Sequence, residues 1–469
     1  MTNPRLRFAP SPTGHLHIGG VRSALFNYLL AKKWSGVFVV RIEDTDRDRS
    51  TREFEADIIR GLEWLRIKSD ENPIIGGPFG PYRQSERKEF YTPALRQLLE
   101  KKMAFYCPHD EKKAKDHENS MPHWCEYRNG GGEDAGIIRF KTPKNEEIIF
   151  ADLIRGEIRI KTDEIGDFSI AKSTELPLYN LANVVDDHAM QISHVMRGED
   201  HIANAPKQIL LQKALGYPNP AYGHLPLILG PDRAKLSKRH GATSLLEFQK
   251  DYLPEALVNF LALLGWNPGT EQEIFSLDEL IQQFSVERIH KAGAIFDFKK
   301  LDWMNAEYIR RTPTETLANI ITPYLSADIS RRAAAEPDYL KRALDVEKSR
   351  LRRLGEASEA LKLYFNEPKF NREIICWKSL DWDAIHKSLK EGTEVIRQLN
   401  TTPTIEEVSA KLMTLANQRQ DRGEILWPVR VALSGRKVSA SPFEIISVLG
   451  REESLKRLER AITALASQD

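Results

Sequence analysis

The sequence predicts an α/β protein: a doubly wound parallel sheet carrying an α+β insertion, followed by a region built of helices alone. Two observations near the start carry the first part. Arg5–Ala9 is a short extended apolar segment, and Val37–Ile42 is a continuous apolar, β-branched run of the kind buried in a parallel sheet. Between them a loop rich in Pro and Gly, 10–14, leads into a stretch from 20 to 34. There Val21, Leu25, Tyr28 and Leu29 recur at helical spacing. Strand, glycine loop, helix and buried strand make a βαβ unit. The third observation lies at the other end, where 311–469 reads as charge-rich helices with almost no strand signal.

The remaining elements follow in order. Helices are expected near Arg52–Leu65 and Ser85–Lys102. From Tyr106 to Thr174 the character changes: two cysteines, several histidines and short alternating segments at Ile137–Lys141 and Glu157–Lys161 read as the insertion. The α/β pattern returns near Leu178, with a strand at Gln191–Met196, a helix at His201–Leu215 and a strand at Leu225–Leu229. Pro254–Leu264 is an amphipathic helix. Four regions result: 1–105 with 175–245, the insertion 106–174, a helical stretch 246–310, and the helical region 311–469.

A length of 469 residues suits about three domains, each able to bury a core. Hydrophobic residues at 41% and charged residues at 29% describe a globular chain rather than a disordered one. No apolar run approaches the roughly 20 residues of a membrane span, and the first residues lack an apolar secretory core. Three cysteines cannot build a disulfide framework, so a reducing cytoplasm is expected. The net charge of +1 neither favours nor excludes a nucleic-acid partner, since Lys and Arg can gather on one face.

Two motifs point to phosphate chemistry. The first is Pro10-Ser11-Pro12-Thr13-Gly14-His15-Leu16-His17-Ile18-Gly19-Gly20. It joins a strand to a helix, so backbone N–H groups at the helix start face whatever lies above the strand end. Gly19 and Gly20 bring no side chains, and His17 can donate to a phosphate oxygen. Alone, the motif reads as a glycine turn with a surface histidine. The second is Lys235-Leu236-Ser237-Lys238-Arg239, whose three cations can neutralise charge that builds on a leaving pyrophosphate. By itself that is a solvated basic loop.

Together, some two hundred residues apart and each beside an α/β strand, the pair resembles the two signatures of class I aminoacyl-tRNA synthetases. Gly20 stands where the general class pattern has a second His, a departure similar to the glutamyl and glutaminyl subgroup. The resemblance extends through 7–14, 41–46, 80–87, 179–188 and 197–201, and in that density it is to bacterial-type glutamyl-tRNA synthetases. It implies a Rossmann-like catalytic domain, an insertion that grips the acceptor end, and an all-helical anticodon-binding region.

The resemblance also assigns roles. His17, Lys235 and Lys238 would be catalytic. ATP would meet Gly19, Gly20, Asp200, Ile228, Lys235, Ser237, Lys238 and Arg239. Glutamate would meet Arg7, Ala9, Ser11, Glu43, Tyr179, Asn183 and Arg197. The chemistry agrees: a guanidinium fork matches a carboxylate, and Glu43 can pair with an ammonium. Read singly, Arg7 and Glu43 would be ion-pair partners at a sheet edge, and 183–187 a strand ending in a turn. Arg197 separates glutamate from glutamine, because a neutral amide would leave a buried guanidinium without an anion. Arg350, within the basic run 348–353, aligns with the position that distinguishes tRNA(Glu) from tRNA(Gln).

The family uses ATP with Mg²⁺, L-glutamate and tRNA(Glu), needs bound tRNA before it forms adenylate, and works as a monomer in the cytoplasm. Some members hold a structural Zn²⁺ in the insertion. Here Cys107, His109 and Cys125, with Tyr127 or His123 as the fourth group, are the candidate ligands; a metal-free hydrogen-bonded loop is the alternative. Two other readings stay open: an enzyme that also charges tRNA(Gln), and a tRNA-binding paralogue without catalysis.

Overall fold

The computed structural model describes residues 3–46, 48–109, 122–130, 136–369, 372–378 and 380–466, excepting the side chains of 238, 372, 465 and 466. The chain divides into two compact units, Met1–Leu301 and Asp302–Asp469. Composition placed the last boundary at 311, where charge-rich helices begin; the division by contacts comes earlier.

The first unit is organised by a six-stranded sheet whose strands lie side by side in the order β2 (Val37–Val40), β1 (Arg5–Phe8), β9 (His194–Gly198), β10 (Ala221–Leu225), β5 (Glu147–Asp152) and β6 (Gly156–Lys161). β1 (Arg5–Phe8) lies parallel to β2 (Val37–Val40), joined through α1 (Ile18–Lys33), the expected βαβ unit. Helix α1 is buried along nearly its whole length, and Lys32 and Lys33 in its last turn complement the helix dipole. Side chains such as Leu25 and Leu29, fully buried, each contribute about 1.5–3 kcal/mol. Helices α2 (Arg52–Trp64) and α3 (Lys88–Glu100) follow.

The segment read as an insertion divides between two sheets. β3 (Ala104–Cys107), β4 (Ile137–Phe140), β7 (Ser169–Ser173) and β8 (Leu176–Pro177) form a separate antiparallel sheet. The hairpin of β5 (Glu147–Asp152) and β6 (Gly156–Lys161) instead extends the main sheet, with Asp152 beside Tyr222. Alternating exposure along β6 suits an outer strand with one covered face.

Helix α4 (Tyr179–Ala189) carries the run 183–187, so its local reading as a strand does not hold. Buried Leu181, Ala182, Val184 and Val185 join the core beneath, which leaves Tyr179, Asn183 and Asp187, four residues apart, on another face. β9 is His194–Gly198, later than expected, which puts Arg197 inside the strand. After a 3₁₀ turn come α5 (Ala205–Leu215), β10 (Ala221–Leu225) and β11 (Ile228–Leu229). The unit closes with α6 (Leu245–Phe248), α7 (Pro254–Leu263), α8 (Leu277–Gln283) and β12 (Ala294–Ile295), the last beside β11.

Beyond α9 (Phe298–Arg311), the second unit is helical as predicted. It contains α10 (Thr314–Ile321), α11 (Ala327–Ala335), α12 (Pro337–Glu347), α13 (Ala357–Phe365) and α14 (Arg372–Ile375). Next come α15 (Trp382–Arg397), α16 (Ile405–Ala416), α17 (Gly423–Ser434) and α18 (Pro442–Ala466), the last kinked at Gly450. Buried Arg457 on α18 donates to the carbonyls of Leu363 (2.5 Å) and Leu433 (2.9 Å), satisfying the ends of α13 and α17. Among the described residues no helix is long and apolar enough to cross a membrane.

Candidate active site

The strand order reverses between β1 and β9, and a ligand cleft is expected there, outside the carboxyl ends of the strands. A cavity of about 450 Å³ opens at that place. All seven residues expected to meet glutamate line it: Arg7, Ala9, Ser11, Glu43, Tyr179, Asn183 and Arg197. So do His17, Gly19, Gly20, Asp200, Ile228 and Lys235 from the phosphate set. Ser237 and Arg239 stand outside this lining, and the side chain of Lys238 lies outside those described.

The two arginines have different surroundings. Arg7 Nε and Nη2 donate to the Asp187 carboxylate at 3.2 and 3.3 Å. Arg41 Nη1 donates to the same carboxylate at 2.7 Å and Arg41 Nη2 to Glu43 at 3.1 Å. Asn183 Nδ2 also donates to Glu43, at 2.9 Å. Burial pushes the Glu43 carboxyl up, with Arg41 and Arg7 opposing. Burial would raise Asp187 too, but Arg7 and Arg41 hold it below the usual carboxylate range.

Arg197 is buried, and among the described residues its hydrogen bonds go to no carboxylate. Its Nε donates to His224 Nε2 at 3.2 Å, its Nη2 to the His201 carbonyl at 3.3 Å, and its Nη1 reaches the Tyr179 hydroxyl at 3.5 Å. Three neutral groups therefore hold a full positive charge at the cavity wall. An anion entering the cavity meets a cation that the protein itself has not neutralised.

On the phosphate side, His17 is the N-cap of α1 and its Nδ1 accepts from Gly19 N at 3.1 Å. That bond leaves the proton on Nε2, free to donate. Burial, then Lys235, hold the imidazole below its usual pKa. A Cβ on Gly20 would stand 3.3 Å from Leu16 and 3.6 Å from Phe8, so Gly20 also permits the close seating of α1 on β1. Lys235 Nζ lies 3.7 Å from Asp200, an exposed pair that water screens. Ser237 N donates to His240 Nδ1 at 3.1 Å, and Arg239 Nη2 to Asp232 at 3.0 Å, which ties the basic loop to itself.

Sequence reasoning missed Arg22, Asp152 and His224. Arg22 is a buried cation on α1, donating to the carbonyls of Pro226 and Leu264, the latter at 3.3 Å. Burial pulls its pKa down to about 10, with Glu199 opposing. An arginine next to Val21, in the helical stretch that follows the glycine motif, is the signal that could have found it. Asp152 and His224 have no comparable local signal.

At the end of β3 a second cluster forms. Ligand atoms of Cys107, His109, His123 and Cys125 all lie within 4.8 Å of one another. Cys107 Sγ is 3.4 Å from His109 Nδ1, 3.7 Å from His123 Nε2 and 3.5 Å from Cys125 Sγ. His123 joins this group, and the Tyr127 ring packs 6.0 Å from the His109 ring. In the helical unit, Arg350 follows α12, half-exposed, with Nη2 3.1 Å from Glu444.

Comparison with known proteins bears on this geometry. The family described as "tRNA synthetases class I (E and Q), catalytic domain" matches residues 4–303, and "Anticodon binding domain" matches 316–462. The glutamate–tRNA ligase of Natranaerobius thermophilus is 42% identical over 100% of both chains. Glutamate–tRNA ligase 1 of Syntrophomonas wolfei is 41% identical over 99% of this chain and 97% of that one. The crystal structure of a glutamate tRNA ligase from Elizabethkingia meningosepticum, in complex with its amino acid, superposes with a TM-score of 0.87. It is 31% identical and covers 99% of this chain and 100% of that one. A Rossmann-like catalytic unit, a helical second unit and these full-length relatives together show that the chain belongs to the class I aminoacyl-tRNA synthetases, in the glutamate–tRNA ligase family.

Proposed function

We propose that this chain joins L-glutamate to the 3′ end of tRNA(Glu) through a glutamyl-adenylate, using ATP as its Mg²⁺ complex. The observation that carries the reading is Arg197, a buried guanidinium without an anion, in the same cavity as the strand-to-helix loop that presents His17. A substrate side-chain carboxylate completes it. Glutamine, with a neutral amide, leaves the charge uncompensated.

In the first step the α-carboxylate oxygen bonds to the α-phosphorus and pyrophosphate leaves. His17 Nε2–H donates to a phosphate oxygen, and Lys235, with Lys238 and Arg239 beside it in sequence, offsets the charge on the leaving group. Asp200 meets the ribose and Ile228 packs against the adenine; Gly19, Gly20 and Ser237 complete the nucleotide contacts. Glu43 and Asn183 orient the ammonium, and Ser11, Ala9, Tyr179 and Arg7 complete the amino-acid site. In the second step a terminal ribose hydroxyl of tRNA attacks the carbonyl carbon and AMP departs. Catalysis is positioning and charge stabilisation, with no enzyme-bound covalent intermediate.

Residues 106–174 receive the acceptor end and 311–469 the anticodon, with Arg350 reading the bases that separate tRNA(Glu) from tRNA(Gln). The chain acts as a monomer in the cytoplasm. Zn²⁺ fits Cys107, His109, His123 and Cys125: two thiols and two imidazoles converge at separations suited to one tetrahedral ion. The ion would hold the end of β3 and the loop 122–125 together, and none of its four ligands lines the cleft.

The test is charging of purified tRNA(Glu) and tRNA(Gln) side by side with labelled glutamate and glutamine. Glutamate on tRNA(Glu) alone supports the reading. No glutamate on either tRNA refutes it, and equal charging of both refutes the role of Arg350.

A further inference from the structure

Arg7 and Arg197 are held in opposite ways. Arg7 touches a carboxylate directly, at 3.2 Å from Asp187. For Arg197 the carboxylate stands one residue further back. His224 Nδ1 lies 2.6 Å from Asp152 Oδ2, and His224 Nε2 lies 3.2 Å from Arg197 Nε. Asp152 ends β5 and His224 is on β10, so the docking of the hairpin on the main sheet brings them together. The side chains of both are fully buried.

The protonation pattern follows from the partners. Asp152 Oδ1 accepts from the backbone N–H groups of Ile154 (2.9 Å), Arg155 (2.8 Å) and His224 (3.3 Å). Those donors fix the carboxylate and favour its ionised form. Oδ2 then faces His224 Nδ1 and requires a proton there. Nε2 is left with a lone pair, which the Arg197 N–H meets. Burial, opposed by the hydrogen bond to Asp152, pulls the imidazole below its usual pKa. The Tyr222 ring lies 5.5 Å from the guanidinium carbon and parallel to the His224 ring, limiting sideways movement.

We propose that Asp152 and His224 are a positioning pair: the carboxylate fixes the tautomer of the imidazole, and the imidazole aims Arg197 at the substrate's side-chain carboxylate without neutralising it. A carboxylate in direct contact would compete with the substrate for the same fork. An imidazole supplies a directional acceptor that carries no charge. The proposal rests on the reading of Arg197 as the glutamate-binding cation and deepens it.

Asp152→Asn exposes the logic. The backbone donors hold the amide oxygen at the Oδ1 position, so the amide nitrogen faces His224 Nδ1. The imidazole must then accept there, and its proton moves to Nε2, pointing at the Arg197 N–H. His224→Asn keeps a donor for Asp152 but is too short for Arg197. His224→Gln reaches Arg197 with an oxygen and gives up Asp152.

Tested by tRNA-dependent ATP–pyrophosphate exchange on the full chain, Asp152→Asn and His224→Asn should each raise the glutamate KM on the order of tenfold. The ATP KM should stay within about twofold, and His224→Gln should fall between His224→Asn and wild type. Melting temperature is recorded for each variant. Where Asp152→Asn fails to fold, the two His224 variants decide. A wild-type chain inactive toward glutamate overturns both the function and the pair. An active wild type whose variants keep the glutamate KM, or lose kcat and both KM values alike, overturns the pair alone.

Discussion

The guanidinium of Arg7 lies 3.2 Å from the carboxylate of Asp187, and both side chains are buried. Asp187 also accepts from Arg41 at 2.7 Å, so one acidic group on α4 ties Arg7 of β1 to Arg41, the residue that follows β2. Replacing it takes the carboxylate partner from Arg7 and leaves Arg41 with Glu43, at 3.1 Å.

Asp187→Ala should therefore destabilise the first unit by about 3–5 kcal/mol, the usual result of breaking a buried pair from one side. Thermal melting followed by circular dichroism checks this. An unchanged melting profile would show that water or Glu43 compensates.

Acid should weaken the same region. His201 is pulled down to about 4, first by burial and then by Arg197, with Asp200 opposing. In the unfolded chain a histidine titrates near 6.5. Between these values the unfolded state binds a proton that the folded state does not, so stability falls as pH drops from about 6.5 to about 4. Above 6.5 this group adds no pH dependence. Denaturant titrations at pH 7.5, 6 and 5 should show the loss, with a shallower slope in His201→Asn. Equal slopes for both proteins would remove His201 from the account.

Lys235 should act on rate. Its contact with Asp200 is long and exposed, so the side chain can turn to a phosphate at little cost. Lys235→Ala should lower kcat for pyrophosphate exchange by roughly a hundredfold and leave the glutamate KM within a few fold. A change confined to the glutamate KM would contradict the assignment.

Which parts of this were legible in the sequence depends on distance along the chain. The βαβ unit and the helical second unit follow from local pattern, because strand, loop and helix signals are short-range, whereas the cleft residues were assigned through the family resemblance that the motifs carry. Arg197 was legible as a residue but was placed after its strand, since polar Arg and Gly end an apolar run one turn of the pattern early. The role of 183–187 depended on the helix period, which Asn183 and Asp187 obscure by being polar yet buried. Asp152 and His224 are separated by 72 residues. They meet only because β5 and β6 join the main sheet, and nothing in the alternation of that hairpin says which sheet it extends. Which of Tyr127 and His123 completes the set with Cys107, His109 and Cys125 is not legible for the same reason: it depends on how the loop turns, not on spacing alone.

The cysteine–histidine cluster gives a prediction independent of activity. Burial, with the Cys107 thiol adding, pushes the Cys125 thiol up to about 11, so a bound cation must displace its proton. Purified protein should carry about one equivalent of zinc by elemental analysis, and Cys107→Ser well under half of that. Less than a tenth of an equivalent in the wild type would leave a hydrogen-bonded, metal-free cluster.

Arg197 remains the centre of the account, and one measurement reaches it most directly: glutamate-dependent ATP–pyrophosphate exchange by Arg197→Ala in the presence of tRNA. With the buried Arg197 cation removed, exchange should fall at least a hundredfold at subsaturating glutamate while the melting temperature holds. Exchange at the wild-type level with wild-type glutamate KM would mean that another group recognises the substrate's carboxylate.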